Sequence, residues 1–431
     1  MPRWSTGRLR FQCRLGLASA LAASLLFVHV SAVGPAIEFG FSSDRLGRIH
    51  DAIQRHIDAG DVSGAVTLVA RRGRIVEFEA HGWRDIESKA PMAKDSIFRW
   101  ASMSKPVTAV AILMLMEEGK VRLSDPVSTF IPELRDLSVA LPKAPATDTR
   151  PVGRRDGEPE FQLVPASREI RILDLLTHTS GMVSGGISAS EAAKRAPRGA
   201  ADTLADYIPQ LRTVPLAFQP GTAWRYSALA GVETLGRVVE VASGQAFDRF
   251  LAQRIFEPLG MKSAGFVKTN DQVRRLVTLY EAMPGGLKRM ADQNGFLSDT
   301  YYSGAAGLLG TTEDYWRFAQ MLANGGTLNG RRILSPRTVA LLASEFVHQD
   351  LYNGILRTKG AMVFGLTVEI VNNPIAANLW LPQGSFGWSG AHGTQFWIDP
   401  KDKLVTIIMA QTPVQQLFAD FDIAVAQAMV E

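Results

Sequence analysis

The chain is almost without cysteine. Cys13 is the only one in 431 residues, and it lies ahead of the first long apolar run. A disulfide framework and a cysteine nucleophile are therefore both excluded. Net charge is also scarce once its location is considered. Lys and Arg number 46 against 42 Asp and Glu, but Arg3, Arg8, Arg10 and Arg14 fall in residues 1–32, which hold no acid; without these four the chain carries 42 of each. The basic pI belongs to the leader, and no nucleic-acid-binding surface is expected. The histidines, at positions 29, 50, 56, 81, 178, 348 and 392, include no His-x-x-x-His pair. With no cysteine cluster either, neither a metal nor any other cofactor is expected. Internal repeats and low-complexity tracts are absent as well.

Only one stretch has the apolar character of a membrane or export segment, from about Leu15 to Val30. It follows an arginine-rich start and ends at Val30-Ser31-Ala32, a small-residue cleavage pattern. Residues 1–32 therefore read as a secretory signal cleaved near Ala32, which places the mature protein in the periplasm or outside the cell. An uncleaved anchor is the alternative, although Ser19, Ser24 and His29 interrupt a run already short for a span. No contact with a membrane is expected after cleavage.

The chain as a whole has ordinary globular composition, with 46% hydrophobic and 20% charged residues, and the remainder, 33–431, is expected to form one domain. Leu46, Ile49 and Ile53 have helical spacing, and 65–70 and 74–80, separated by Arg72-Gly73, read as a β-hairpin. The stretch 137–167, rich in Pro, Arg, Asp and Gly, reads as a surface insertion. Helical patterns then dominate, at 172–177, 200–211, 228–242 and 247–256, and another helix starts at Thr312-Glu313-Asp314. Strand patterns return at 363–370, 394–398 and 403–409, before a last helix from about 414 to 430. The fold class predicted is α+β: an antiparallel sheet built from both chain ends and flanked by helices, with an inserted, mostly α-helical subdomain. The α/β part would cover about 40–130 and 300–431, and the helical part about 131–299.

The stretch on which chemistry centres is Trp100-Ala101-Ser102-Met103-Ser104-Lys105-Pro106-Val107-Thr108. An apolar run to Met116 follows it and closes at Glu117-Glu118-Gly119, the pattern of a helix with a glycine cap. Ser102 would stand at its N-terminus with Lys105 one turn on, on the same face. A serine hydroxyl needs a base to become a nucleophile, and a buried lysine amine can serve. The same residues in an ordinary core helix would mean nothing, so partners are needed. Tyr226 stands between the Pro220-Gly221 turn and a helix, where its phenol can relay protons. The glycine-rich stretch 384–394 would let a substrate approach a strand backbone and offer an N–H to an oxyanion.

Taken in order, Ser102-x-x-Lys105, Tyr226-Ser227-Ala228 and Trp388-Ser389-Gly390 resemble the three motifs of the serine β-lactamase and penicillin-binding-protein superfamily, on the class C side with its related esterases. Leu175–Gly181, Phe218–Gly221, Glu257–Met261 and Gly304–Leu308 strengthen the resemblance, which covers about residue 43 to the C-terminus. It implies a β-lactamase/transpeptidase-like fold and an acyl-enzyme on Ser102. Lys105 and Tyr226 would shuttle protons, and the oxyanion would be bound by the backbone N–H groups of Ser102 and Ala391. Two departures bear on substrate. Ala228 lacks the side-chain amide of the family's Tyr-x-Asn motif, and Trp388 replaces the lysine of the third motif, so a substrate carboxylate loses its cation. Both departures resemble the superfamily's carboxylesterases, acting on short acyl esters. His392 would restore some polarity to that wall, or with a shifted register would take the motif's first position. His178 is expected to bond a loop backbone.

The substrate expected is thus a small-molecule ester or amide. A D-amino-acid peptidase or transpeptidase, a weak β-lactamase or an acyltransferase would use the same residues, and a non-catalytic binding protein would keep only the fold. An α/β-hydrolase would want Gly-x-Ser-x-Gly on a strand-to-helix elbow, and Gly387–Ala391 fails at its last position.

Overall fold

In the computed structural model, residues 37–143, 160–266, 269–347, 351 and 360–431 are described. The expected signal sequence lies outside these residues, as does the middle of the 137–167 stretch. The first helix, α1 (Ser43–Asp58), presents Ile49, Ala52 and Ile53 to the core. Two strands follow, β1 (Gly64–Arg71) and β2 (Arg74–Asp85), joined at Arg72-Gly73, both of which take positive φ. A short β3 (Ala90–Pro91) extends this hairpin, and α2 (Ser104–Glu117) comes next. The middle of the chain carries α3 (Ala230–Ser243) and α4 (Thr312–Ala323). The C-terminal part returns with β4 (Met362–Phe364), β5 (Glu369–Val371), β6 (Phe386–Gly390), β7 (Thr394–Asp399) and β8 (Leu404–Met409), and ends in α5 (Gln415–Ala428).

These strands form one antiparallel eight-stranded sheet, ordered β4-β5-β6-β7-β8-β1-β2-β3. The join between chain ends is the β8–β1 pair, with Ile407 opposite Leu68. Alternation splits the sheet's side chains between two cores. Ala65, Val69 and Ile408 pack under α1 and α5, with Phe41, Leu417 and Phe421. Val66, Leu68, Ile407 and Met409 pack on the opposite face against α2 and the helical part. Helix α2 is buried on all sides through Leu115, so its apolar residues form no single stripe. Gly119 closes it with φ 72°.

Three expectations need correction. The 363–370 pattern is not one strand. It breaks into the hairpin β4–β5, turned at Gly365–Val368, where the Gly365 N–H donates to the Val368 carbonyl and Thr367 takes φ 66°. The 200–211 helix starts only at Leu204, capped by Thr203, and tightens into a 3-10 turn over Ile208–Thr213, where Pro209 sits in the first turn. The 247–256 helix is α-helical only over Phe247–Leu251 and then widens to π-type over Ala252–Phe256. In the 137–167 stretch, Ser138–Pro142 and Phe161–Pro165 pair as an antiparallel ribbon.

Candidate active site

Ser102 lies in a single 3-10 turn, Ala101–Met103, that feeds α2. Ala101 has φ 47°, a sparsely populated conformation for a residue with a side chain, directly before the serine. The turn is pinned by its surroundings. The Trp100 carbonyl accepts from Met103 N–H (3.1 Å) and from Thr394 Oγ1 (3.2 Å), which ties β7 to the stretch entering Ser102. Tyr315 of α4 donates to the Met103 carbonyl at 3.0 Å and meets the Trp100 ring edge-on. Gly390 closes against the same place: a Cβ there would lie 2.3 Å from the Trp100 carbonyl oxygen. Only glycine allows that approach.

Lys105 stands in the first turn of α2 and is fully buried. Its Nζ is 3.0 Å from Ser102 Oγ, 2.7 Å from the Ala228 carbonyl and 3.0 Å from the Ala305 carbonyl. Two of its three directions are thus fixed by backbone oxygens, and the third points at the serine. The Tyr226 hydroxyl donates to Ser102 Oγ at 2.8 Å. Tyr226 is set by its neighbours: the Ser227 N–H donates to His178 Nδ1 (3.3 Å), and the Tyr226 ring packs on the rings of His178 (4.8 Å) and Trp388 (5.6 Å). Burial, and then the nearby Lys105, hold His178 well below the usual imidazole range, so it is a neutral acceptor there. A hydroxyl with an amine and a phenol both at hydrogen-bond distance can lose its proton and regain it without moving a heavy atom.

The serine opens into a cleft of about 450 Å³. Trp388, Ser389, Gly390 and Ala391 form one wall, and Ala391 lies one residue past the last paired position of β6. Trp224 and Tyr226 supply aromatic surface, and Val414 and Phe418 close the far side from the start of α5. Glu369 of β5 lines the same cleft, and its withdrawal from water pushes the carboxyl up to about 7. No lysine or arginine is among the described residues lining this cleft.

The structure thus brings Ser102, Lys105, Tyr226 and the 388–391 wall together. It places two other predicted residues differently. His392 does not line the cleft. The 391–393 turn, closed by Gly393 N–H to the Gly390 carbonyl (3.0 Å), directs its ring onto Phe296, 5.4 Å away, beside Gly295 and Arg99. Burial and Arg99 lower its pKa to about 4, so it brings no cation to the substrate wall. Ala228 acts through its carbonyl, on Lys105, and not through the missing side chain. Sequence reasoning assigned no role to Ala305, Trp224, Phe418 or Glu369. For Glu369 a signal was present: it is the one acid in the otherwise apolar 363–370 stretch.

Known proteins similar to this chain in sequence and fold include two esterases. The "Esterase EstB" of Burkholderia gladioli is 28% identical over 401 residues, 85% of this chain and 90% of that protein. The "Lovastatin esterase" of Penicillium rubens is 31% identical over 397 residues, 85% and 94% respectively. Among solved structures, EstCE1, described as a hydrolase with promiscuous acyltransferase activity, superposes with a TM-score of 0.73 at 25% identity, over 90% of this chain and 99% of its own. Simvastatin synthase LovD of Aspergillus terreus shares the fold, with a TM-score of 0.73 at 21% identity, over 89% and 98%. The Beta-lactamase family model matches residues 49–428, and the chain belongs to that family as a serine hydrolase.

Proposed function

We propose that this protein is a carboxylesterase of short acyl esters, with Ser102 as nucleophile. The observation that carries the reading is the pairing of an intact Ser102–Lys105–Tyr226 constellation with a cleft that is aromatic, carries Glu369 and has no cation among its described lining residues. Ser102 Oγ attacks the acyl carbon while its proton passes to the Lys105–Tyr226 pair. The carbonyl becomes an oxyanion held by the backbone N–H groups of Ser102 and Ala391. The C–O bond to the alcohol then breaks, and the proton is returned to the leaving oxygen. Water attacks the acyl-enzyme by the reverse relay and releases the acid.

Substrate preference follows from the cleft wall. β-Lactams and peptides ending in a carboxylate need a cation beside the third motif. Here Trp388 occupies that place, and Glu369 offers no cation below about pH 7 and a charge of the substrate's own sign above it. Neutral esters avoid both costs, and the similarity to two named esterases points the same way. EstCE1's described acyltransferase activity suggests that an alcohol can replace water in the second step. The leader 1–32 supports export to the periplasm or beyond, and N-terminal sequencing of the secreted form would show a start after Ala32.

The function is tested by offering a short-chain p-nitrophenyl ester and a chromogenic cephalosporin to the wild type and to Ser102→Ala. Ester turnover that disappears in the variant, with little cephalosporin turnover in either, is the expected result. Cephalosporin turnover as fast as ester turnover would contradict the reading of Trp388 and Glu369.

A further inference from the structure

On the face of the sheet opposite Ser102, β2 carries Glu77, Glu79 and His81 on one side, because alternate residues of a strand share a face. Opposite them in register, β1 presents Thr67 to Glu79 and Ala65 to His81. Helix α1 lies over this side and brings His50 to Glu79, with Nδ1 3.2 Å from Oε2. The His50 and His81 rings are 5.3 Å apart. One ligand atom from each of His50, Glu79 and His81 lies within 4.8 Å of the other two.

A half-exposed His–Glu contact is by itself an ordinary surface pair. His81 is not ordinary. It is 2% exposed, and its Nδ1 has no hydrogen-bond partner among the described residues. Buried ring nitrogens are nearly always satisfied. The other nitrogen shows how this one is prepared. The Thr67 hydroxyl donates to Glu77 Oε1 at 2.7 Å, so its oxygen is left to accept, and His81 Nε2 lies 3.0 Å from it. That arrangement places the imidazole proton on Nε2 and leaves a bare lone pair on Nδ1. Outer partners fix the tautomer of metal-binding histidines in the same manner.

We propose that His50, Glu79 and His81 form a binding site for one divalent transition-metal ion of the Zn²⁺ kind. Two imidazoles and a carboxylate suit such an ion better than Ca²⁺ or Mg²⁺, which take mainly oxygen ligands. Ligand bonds of about 2.0–2.2 Å in a tetrahedral arrangement hold neighbouring ligand atoms about 3.3–3.6 Å apart. The His50–Glu79 pair is already that close at 3.2 Å, and the widest pair must tighten by up to about 1.5 Å, which rotation of the half-exposed His50 and Glu79 side chains can supply. The ion would staple α1 to the central hairpin and keep its remaining coordination position toward solvent. The site is separate from the esterase cleft, because the sheet lies between them. Neither Glu79-x-His81 on a strand nor His50 some thirty residues earlier has a spacing that reads as a metal motif, so only the β2–α1 packing reveals the set.

The test is equilibrium dialysis of untagged, metal-free full-length protein against ZnCl₂, with Co²⁺ absorption and the thermal midpoint as second readouts. The wild type is expected to bind one equivalent of Zn²⁺, to show visible Co²⁺ bands and to melt at a higher temperature with metal. His50→Ala, on the helix surface, is expected to fold normally and lose stoichiometric binding. Thr67→Val keeps all three ligands and should weaken binding by about 10–100-fold. Hydrolysis of a short-chain ester should be the same with Zn²⁺ or with chelator. No stoichiometric Zn²⁺ on the wild type, or binding that survives His50→Ala, would overturn the assignment.

Discussion

Single residues define the chemistry here. Lys105 is locked by two carbonyls, so removing it deprives Ser102 of an amine and leaves the Ala228 and Ala305 oxygens without their donor. Lys105→Ala should therefore lose almost all turnover and some stability as well. Tyr226→Phe removes one hydrogen bond and little volume. It should lower kcat by about 10²–10⁴-fold with KM nearly unchanged, as steady-state kinetics on a p-nitrophenyl ester would show. Glu369 predicts a pH effect. Its carboxyl is neutral below about 7 and charged above. For an ester bearing a carboxylate, kcat/KM should fall as pH rises through that range, by about tenfold for a charge at close quarters. A neutral ester should show no such fall, and Glu369→Gln should abolish the difference. A fall that persists in Glu369→Gln would assign the effect to another group.

At the scale of elements, the site depends on how closely β6 approaches the turn before α2. Gly390→Ala places a methyl group against the Trp100 carbonyl. The expected cost is about 1–3 kcal/mol in unfolding free energy, with a larger loss of kcat/KM because Ala391 shifts with the strand. Denaturant melts and kinetics on the same preparation separate the two. Elements were also where sequence reading did best and worst. The hairpin β1–β2, the capped α2 and the final strands announced themselves by period and by turn residues. The β4–β5 hairpin did not, since its turn residues Leu366, Thr367 and Val368 are as apolar or β-branched as the strands beside it. Ser102, Lys105 and Tyr226 were legible because each falls in a local pattern. The orientation of His392 depends on a turn, and the roles of Ala305 and Phe418 on packing between distant segments, neither of which a local pattern records.

The whole molecule is a sheet sewn from both ends of the chain, with α1 and α5 as its outer cover. That cover holds an unmatched acid. Asp422 of α5 is buried beneath it, its Oδ1 has no partner among the described residues, and burial pushes its pKa up to about 8. Its folded pKa lies above the unfolded value. Relative stability is therefore fully present below about pH 4 and is lost as pH rises through about 8. Asp422→Asn removes that loss. It should raise the thermal midpoint by several degrees at pH 9 and by much less at pH 5, a comparison that calorimetry makes directly. An equal shift at both values would mean that Asp422 is not neutral in the folded protein. Although the start of α5 reaches the Ser102 cleft, Asp422 is not among the residues lining it, so ester turnover at neutral pH should be nearly unchanged.

The central claim is that the acyl group of an ester passes onto Ser102. It is tested most directly by mixing the protein with a short-chain p-nitrophenyl ester, quenching in acid within the first turnover, and mapping the acyl adduct by peptide mass spectrometry. One acyl group on the peptide containing Ser102, absent in Ser102→Ala, is the predicted result. An adduct elsewhere, or turnover retained by Ser102→Ala, would contradict it.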